Sequence, residues 1–190
     1  MAIWILDVGT SGTHGLLMNQ LAEVEFSFYE EYHPNIRSQG TVEQSPLDWY
    51  QAILHACQAC NSHIRKHSIC LDAIALTCQR SSLLLLDENL DPIAPAMMWQ
   101  DLRAMSVLKQ METTPGTAQT IFGKSGTWPN SIFTGPKILW YQKNNPDLIQ
   151  KACHTTVIAD YLIAKMTDHL VLDVTYAART HLMDLITEQW

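Results

Sequence analysis

Residues Ala2 to Asn19 read A-I-W-I-L-D-V-G-T-S-G-T-H-G-L-L-M-N, and the fold is decided there. The apolar run Ile3 to Leu6 ends on Asp7, the turn Gly9-Thr10-Ser11-Gly12-Thr13 follows, and Gly15 to Met18 is apolar again. Two apolar runs around a glycine-bearing turn predict a β-hairpin. The turn also carries chemistry. Gly9, Gly12 and Gly15 let the backbone approach a ligand closely, three hydroxyls stand among them, and successive peptide N–H groups in such a bend form an anion-binding nest. Asp7 cannot itself bind phosphate, but it can hold a hydrated Mg²⁺ whose shell is completed by phosphate oxygens. The same residues suit an ordinary turn in which Gly, Ser and Thr supply geometry alone, and D-x-G-T-S-G-T by itself does not separate the two readings. No G-x-x-x-x-G-K-[ST] occurs, and the run is not a dinucleotide fingerprint.

Outward from the hairpin, Leu21 to Tyr32 alternates apolar and polar residues, as a half-buried third strand does. Three successive antiparallel strands are therefore expected. Asn35 to Val42 reads as a polar loop containing Gly40. Ser45-Pro46-Leu47-Asp48 is a helix start, with Ser45 as N-cap, Pro46 at the first helical position and Asp48 in the first turn. That helix is expected to reach about Lys66. Ala73 to Thr77 predicts a short buried strand and Ser82 to Leu86 another, and strand, helix, strand at this length predicts a parallel crossover. The architecture predicted is α/β, a mixed sheet with initial antiparallel strands and helices packed on both faces. Further on, Leu102 to Met111 reads as helix, Thr113 to Ser131 as short helices and loops, and Ile132 to Asn144 as a helix broken by Asn145-Pro146. A short helix over Pro146 to Ala152, a strand at Val157 and Ile158, a helix over Asp160 to Met166 and an extended piece over Leu170 to Asp173 complete the reading.

With 190 residues, 47% of them apolar and 16% charged, the chain can bury the core of one large domain, or of one domain and part of another. A net charge of -7 leaves no electrostatic footprint for nucleic acid or an anionic membrane. The longest apolar runs, such as Leu83 to Leu86, are far short of a membrane span. Met1 leads directly into a strand rather than a cleavable signal segment, so a cytoplasmic protein is expected. The cysteines at 57, 60, 70, 78 and 153 are odd in number and irregular in spacing, which argues against a disulfide framework. Cys57-x-x-Cys60 with His63 and His67 runs along one helix, where four zinc ligands do not converge; reduced thiols on a helix face are expected.

Further segments stand in a fixed order behind the hairpin. They are Gly40-Thr41-Val42-Glu43-Gln44-Ser45-Pro46 followed by Trp49, Thr77-Cys78-Gln79-Arg80-Ser81-Ser82, and Met98-Trp99-Gln100-Asp101-Leu102-Arg103-Ala104. Phe133-Thr134-Gly135-Pro136-Lys137 to Trp140, Asp160-Tyr161-Leu162, Met166-Thr167, and Asp173 to Asp184 with Ala177-Ala178-Arg179-Thr180 come after them. The series resembles the FGGY carbohydrate kinases, which include xylulokinase and glycerol kinase. Their corresponding segments include G-W-V-E-Q-D-P, W-Q-D-x-R-A, F-S-x-x-K-x-x-W, D-Y-L, L-T-G and T-D-Y-S-N-A-S-R-T-x-L-x-D. The resemblance is collinear over essentially the whole chain, to Trp190.

The resemblance implies an RNase-H-like, actin-like ATPase domain that is incomplete: residues 1–190 form most of the N-terminal domain, and the C-terminal ATP-binding domain lies outside them. It implies Mg-ATP and transfer of a γ-phosphoryl group to a sugar or polyol hydroxyl. Such transfer depends on positioning and charge stabilisation. By resemblance Asp7 helps hold Mg²⁺, and Gly9, Thr10, Ser11, Thr13 and His14 form the phosphate site. Gln79, Arg80, Trp99 and Asp101 form the substrate site, with Arg80 offering its fixed fork of donors and Trp99 an apolar wall. The Asp173 to Asp184 stretch is expected to be structural. The family's catalytic base, an aspartate in a G-G-G-D or G-D-Q segment, is expected beyond Trp190, and no residue here is assigned that role.

Departures from the family pattern narrow the expectation. His14 stands where many members carry arginine, and a neutral imidazole supplies less positive charge. Arg80-Ser81 replaces the Arg-Glu of glycerol kinases and Ile132 a tyrosine of theirs, which argues against glycerol. Gln79-Arg80 replaces the Met-His of xylulokinases, which leaves xylulose unsupported. Two other readings stay open: a non-catalytic sugar-binding or regulatory relic, and half of a split kinase. The partners expected are a sugar or polyol and ATP, with no nucleic acid and no membrane, and an unpaired sheet edge would favour a homodimer.

Overall fold

The computed structural model describes residues 2–37 and 40–190. Met1, and Ser38 and Gln39 of the predicted polar loop, lie outside the described residues. The chain divides into two compact units, one of residues up to Pro34 with Ser45–Gln79, the other of Asn35–Gln44 with Arg80–Trp190.

In the first unit β1 (Ala2–Val8) pairs antiparallel with β2 (Gly12–Met18), and β2 with β3 (Val24–Glu31). The short strands β4 (Asn35–Ile36) and β5 (Val42–Gln44) follow in the chain but belong to the second unit. Helix α1 (Pro46–His67) then leads to β6 (Leu71–Cys78), which lies parallel to β1 and completes the order β3-β2-β1-β6. The mixed sheet predicted from the hairpin is thus formed. Ser45 occupies the N-cap position of α1 in extended conformation, without a side-chain cap bond, and Pro46 opens the helix. Arg65, Lys66 and His67 in its last turn suit the negative end of the helix dipole.

The buried stripe of α1, Trp49, Ala52, Ile53, Ala56 and Cys60, faces the sheet side that carries Trp4, Leu6, Val8 and Leu17. The stripe recurs at helical spacing and the sheet residues at spacing two, so the two faces mate. Phe26 of β3 stacks on Trp4 at 6.1 Å and on His63 at 4.8 Å, and His63 lies 4.4 Å from the ring of His67. These histidines therefore extend an aromatic column. Burial pushes the Cys57 thiol up and the Cys60 thiol up to about 11, so both stay protonated.

Two glycines of the hairpin are there for space. Gly9, Gly12 and Gly15 all keep φ outside the left-handed region. A Cβ on Gly15 would lie 2.3 Å from the indole of Trp4, and one on Gly12 2.6 Å from the ring of Tyr29. Close approach is needed, as the sequence predicts, but at Gly12 and Gly15 it is to rings of the same sheet.

Strand β6 also differs from expectation. The sequence predicts a buried strand, yet β6 is the edge of its sheet and its residues 72–75 are exposed. The apolar run A-I-A-L reports extended backbone; burial depends on what covers the strand, and among the described residues β1 is its one sheet neighbour.

The second unit holds β7 (Leu83–Leu86), β8 (Ala96–Met97) and β9 (His154–Val157), in the order β4-β5-β8-β7-β9 with antiparallel pairing. The sequence predicts Ser82 to Leu86 as a further strand of one mixed sheet; the structure puts Leu83–Leu86 in this second sheet. Four consecutive buried leucines need cover on both faces; β7 is paired along its two edges with β8 and β9, and on one face Leu83 and Leu85 pack with Ile138 and Tyr141 of α4. Two ends of the predicted polar loop likewise pair, as β4 with β5.

Around this sheet stand α2 (Met105–Glu112), α3 (Thr117–Ser125), α4 (Thr134–Asn144), α5 (Pro146–Lys151), α6 (Ile158–Thr167) and α7 (Val174–Ala177), the last continued by a 3-10 turn, Ala178–Thr180. Leu83, Leu85, Met97, Ala104 and Tyr141 form the core, with Ile93, Ile138 and Trp140 packed against it. Ile158, predicted as strand, instead opens α6. The reason is local: Asp160 Oδ1 accepts the N–H of Val157 at 2.8 Å and its neighbour Tyr161 at 3.1 Å, closing the first turn. Among the described residues no helix is long and apolar enough to cross a membrane.

Two expectations follow from this packing. Gly15→Ala drives a methyl into the buried Trp4 ring and should cost about 1–3 kcal/mol in urea unfolding. Gly12→Ala meets the half-exposed Tyr29, which can swing away, so its loss should be smaller; equal losses would contradict the contacts described. Burial pushes the Asp160 carboxyl up to about 7 from 3.8, although backbone N–H bonds oppose it. A carboxyl that holds its proton in the fold and loses it when unfolded makes stability fall as pH rises through that interval and level off above it. Asp160→Asn keeps the accepting oxygen and should flatten that part of the unfolding-midpoint profile; an unchanged profile would exclude Asp160 as its source.

Candidate functional site

Strand β1 delivers Asp7 and β2 sets His14 opposite it. Both are exposed, on the sheet face away from Trp4, Leu6 and Val8. Among the described residues no lysine or arginine forms an ion pair with Asp7. The imidazole of His14 lies 4.4 Å from the ring of Tyr29. Asp7 is a single exposed carboxylate, and no group of three or more His, Cys, Asp or Glu gathers among the described residues in a way that could cage a metal. That donor set fits a hydrated Mg²⁺, which needs few protein oxygens, and not a caged zinc or calcium.

The turn is tighter than the sequence predicts. Gly9 N–H donates to the Gly12 carbonyl at 2.9 Å, so Thr10 and Ser11 form the bend while Thr13 and His14 belong to β2. The Tyr32 hydroxyl donates to the Gly9 carbonyl at 3.0 Å and is 3.0 Å from Thr13 Oγ1, and Tyr32 N–H donates to the Ser11 carbonyl at 3.1 Å. Burial pushes the Tyr32 phenol far above its usual range, so it remains a donor. Thr13, predicted as a phosphate ligand, is fully buried and its hydroxyl braces Tyr32. Gln79, predicted on the substrate side, reaches the turn instead: its N–H donates to the Val8 carbonyl at 2.8 Å, its Oε1 accepts from Thr10 Oγ1 at 3.3 Å, and its Nε2 lies 3.5 Å from the Gly9 carbonyl.

In the second unit Arg80 is exposed and its guanidinium lies 5.3 Å over the ring of Tyr176. A guanidinium held over a ring by cation–π attraction does not spend its N–H donors on that contact. Tyr176 sits on α7, whose N-cap Asp173 accepts from Thr175 Oγ1 at 2.6 Å and Thr175 N–H at 2.8 Å. Those bonds, with a smaller effect of Arg80, hold the Asp173 carboxyl below its usual range. The stretch predicted to be structural thus places the ring under Arg80, a role no local signal in the sequence reveals because Arg80 and Tyr176 are far apart in the chain.

Ser81 adopts φ 67°, and its carbonyl accepts from Lys137 Nζ at 2.7 Å. Lys137 also donates to the Ile132 carbonyl at 2.5 Å and is fully buried. The sequence names Lys137 within a motif and assigns it no task; a lone lysine between apolar helix positions was the available signal. Trp99 is 38% exposed, and its N–H donates to Ser82 Oγ at 3.2 Å.

Asp101 is a correction. Predicted as a substrate ligand, it is fully buried and both oxygens are taken: Val42 N–H donates at 2.8 Å, Arg103 N–H at 2.9 Å, Arg103 Nε at 3.0 Å and Nη2 at 2.8 Å. A sealed carboxylate with its lone pairs answered holds the main chain.

Comparison with known proteins completes the description. Residues 2–190 match the FGGY family of carbohydrate kinases, N-terminal domain. The chain is 30% identical over 185 residues to a xylulose kinase of Lactococcus lactis, covering 97% of this chain and 36% of that protein. It is 31% identical over 192 residues to a glycerol kinase of Malacoplasma penetrans, covering 97% and 38%. Among solved structures, ligand-bound xylulose kinase from Lactobacillus acidophilus superposes with a TM-score of 0.92 at 26% identity, covering 100% of this chain and 38% of the other. Plasmodium falciparum glycerol kinase with ADP gives 0.86 at 25% identity, covering 100% and 39%. The chain therefore spans well under half the length of these relatives, and it shares their α/β, actin-like fold. With one family matched from the first strand to the last residue, the chain belongs to the FGGY family of carbohydrate kinases.

Proposed function

We propose that the protein to which this chain belongs transfers the γ-phosphoryl group of Mg-ATP to a hydroxyl of a small sugar or polyol. In this reading residues 1–190 supply most of an N-terminal domain, and the catalytic base and adenosine site belong to the rest of the protein. The observation that carries it is the turn between Gly9 and Gly12, whose Gly9 and Ser11 carbonyls are drawn to Tyr32. A trans peptide directs its N–H away from its own C=O, so the amides that follow those carbonyls, those of Thr10 and Gly12, turn to the opposite side, where they and the Ser11 hydroxyl receive phosphate oxygens. His14 stands beside them on the exposed face.

Asp7 would hold the magnesium, which when bound would supply charge neutralisation at the phosphoryl group. The in-plane donors of Arg80 take sugar hydroxyls, and the exposed side of Trp99 covers the carbon skeleton. Thr13, Gln79 and Asp101 act as braces in this reading. A second reading, a sugar-binding module without phosphotransfer, is favoured by His14, which packs against Tyr29 where many members of the family carry arginine.

Full-length protein with Mg-ATP and a panel of pentoses, hexoses and polyols should release ADP with at least one of them. Sugar binding by calorimetry without ADP release from any would overturn the kinase reading in favour of the module. For the active sugar, Arg80→Ala should raise KM roughly 10- to 100-fold with a smaller effect on kcat, as loss of a charged donor does. Asp7→Ala should instead lower kcat about 100-fold or more and leave the sugar KM within a few-fold. Unchanged kinetics in both variants would overturn the site.

A further inference from the structure

We infer that Lys137 is a positioning residue for substrate recognition: its amine ties the main chain of Ser81 to that of Ile132 and so sets the direction in which Arg80 leaves the fold. This rests on Arg80 being a sugar ligand, as proposed above. A lysine with no access to water needs partners for its hydrogens, and Lys137, fully buried in the first half of α4, has two, the carbonyls of Ser81 and Ile132. Burial pushes its ammonium down to about 7, with Asp101 opposing. A neutral amine still carries two hydrogens, one for each carbonyl, so the bridge does not depend on the charge.

What the bridge holds is a corner that does not hold itself. Ser81 sits at φ 67°, a left-handed conformation that is strained for an L-residue with a side chain. Its own hydroxyl is buried and has no partner among the described residues, so nothing on the serine side chain secures the bend. Lys137 secures it from outside through the carbonyl. Arg80 lies immediately before that corner, and its guanidinium rests over Tyr176; the corner and the ring are the two points that define its course. At the other end of the bridge, Ile132 lies just before α4 begins at Thr134. One amine therefore sets the spacing between the Arg80–Ser81 corner and the entry to α4.

The test is steady-state kinetics on full-length protein with its active sugar. Lys137→Met should raise the sugar KM about tenfold or more while kcat and the KM for ATP stay within about threefold. In an Arg80→Ala background the same change should add less than about twofold, because coupled residues are not additive. Lys137→Gln, which retains two N–H donors on a shorter stem, should restore part of the affinity and carries the measurement if the methionine variant does not fold. A lowered thermal midpoint with unchanged sugar KM, or failure of both variants to fold, would make Lys137 purely structural and overturn the inference alone. Absence of ADP release by the unaltered protein with every sugar would overturn the kinase reading and this inference together.

Discussion

A carboxylate sealed from water must have its charge answered on the spot or the fold bears a desolvation cost of several kcal/mol. Asp101 is so placed in the second unit, and its answers come from three parts of the chain's own architecture: the Val42 N–H at the start of β5, and the backbone and guanidinium of Arg103. Arg103 extends the arrangement, meeting Glu43 at 2.9 Å and lying 4.8 Å over the ring of Trp140 on α4. Burial works to strip the proton from Arg103 and the bonds from Asp101 outweigh it, so the guanidinium is held more firmly protonated than usual. β5, the segment from Trp99 to Arg103 and α4 thus meet around one buried charge, and Lys137 lies within reach of its field. The exposed residues Arg80 and Trp99 leave the fold from backbone that this centre and Lys137 hold.

The first unit is governed by a different constraint, strand register. Side chains of β1 alternate, so Trp4, Leu6 and Val8 are buried while Asp7 is exposed. A slip by one residue would exchange the faces and put the carboxylate against the apolar stripe of α1. The aromatic rings that need Gly12 and Gly15 for room make such a slip costly, because Trp4 and Tyr29 fill the space that any side chain at those positions would take. Tyr29 of β3 and Tyr32 just after it engage the turn's carbonyls. Packing on one side of the hairpin and presentation of Asp7 and His14 on the other are therefore two results of one register.

Motif residues in this chain fall into two physical kinds that look alike in a sequence. Arg80, Asp7 and His14 are exposed; Asp101, Thr13 and Lys137 are buried and bonded to the protein's own backbone or side chains. A family motif marks both kinds equally, because a brace that sets the angle of a ligand-binding side chain is as sensitive to replacement as the side chain itself. Distinguishing them requires knowing where water reaches.

What the sequence by itself determined was local and periodic. The hairpin, the alternating third strand, the start of α1 at Ser45-Pro46 and the interruption of the helices at Asn145-Pro146 follow from turn chemistry, capping and spacing among residues close together in the chain. The collinear motifs likewise carried the family. Only the tertiary structure decided that Leu83–Leu86 joins a second sheet and that β6 lies at an edge, and that the turn glycines accommodate rings. It also decided that Asp101 and Lys137 face inward. These depend on which distant segments arrive to cover a surface or answer a charge, and burial and hydrogen bonding across such separations leave no periodic trace in the order of the residues.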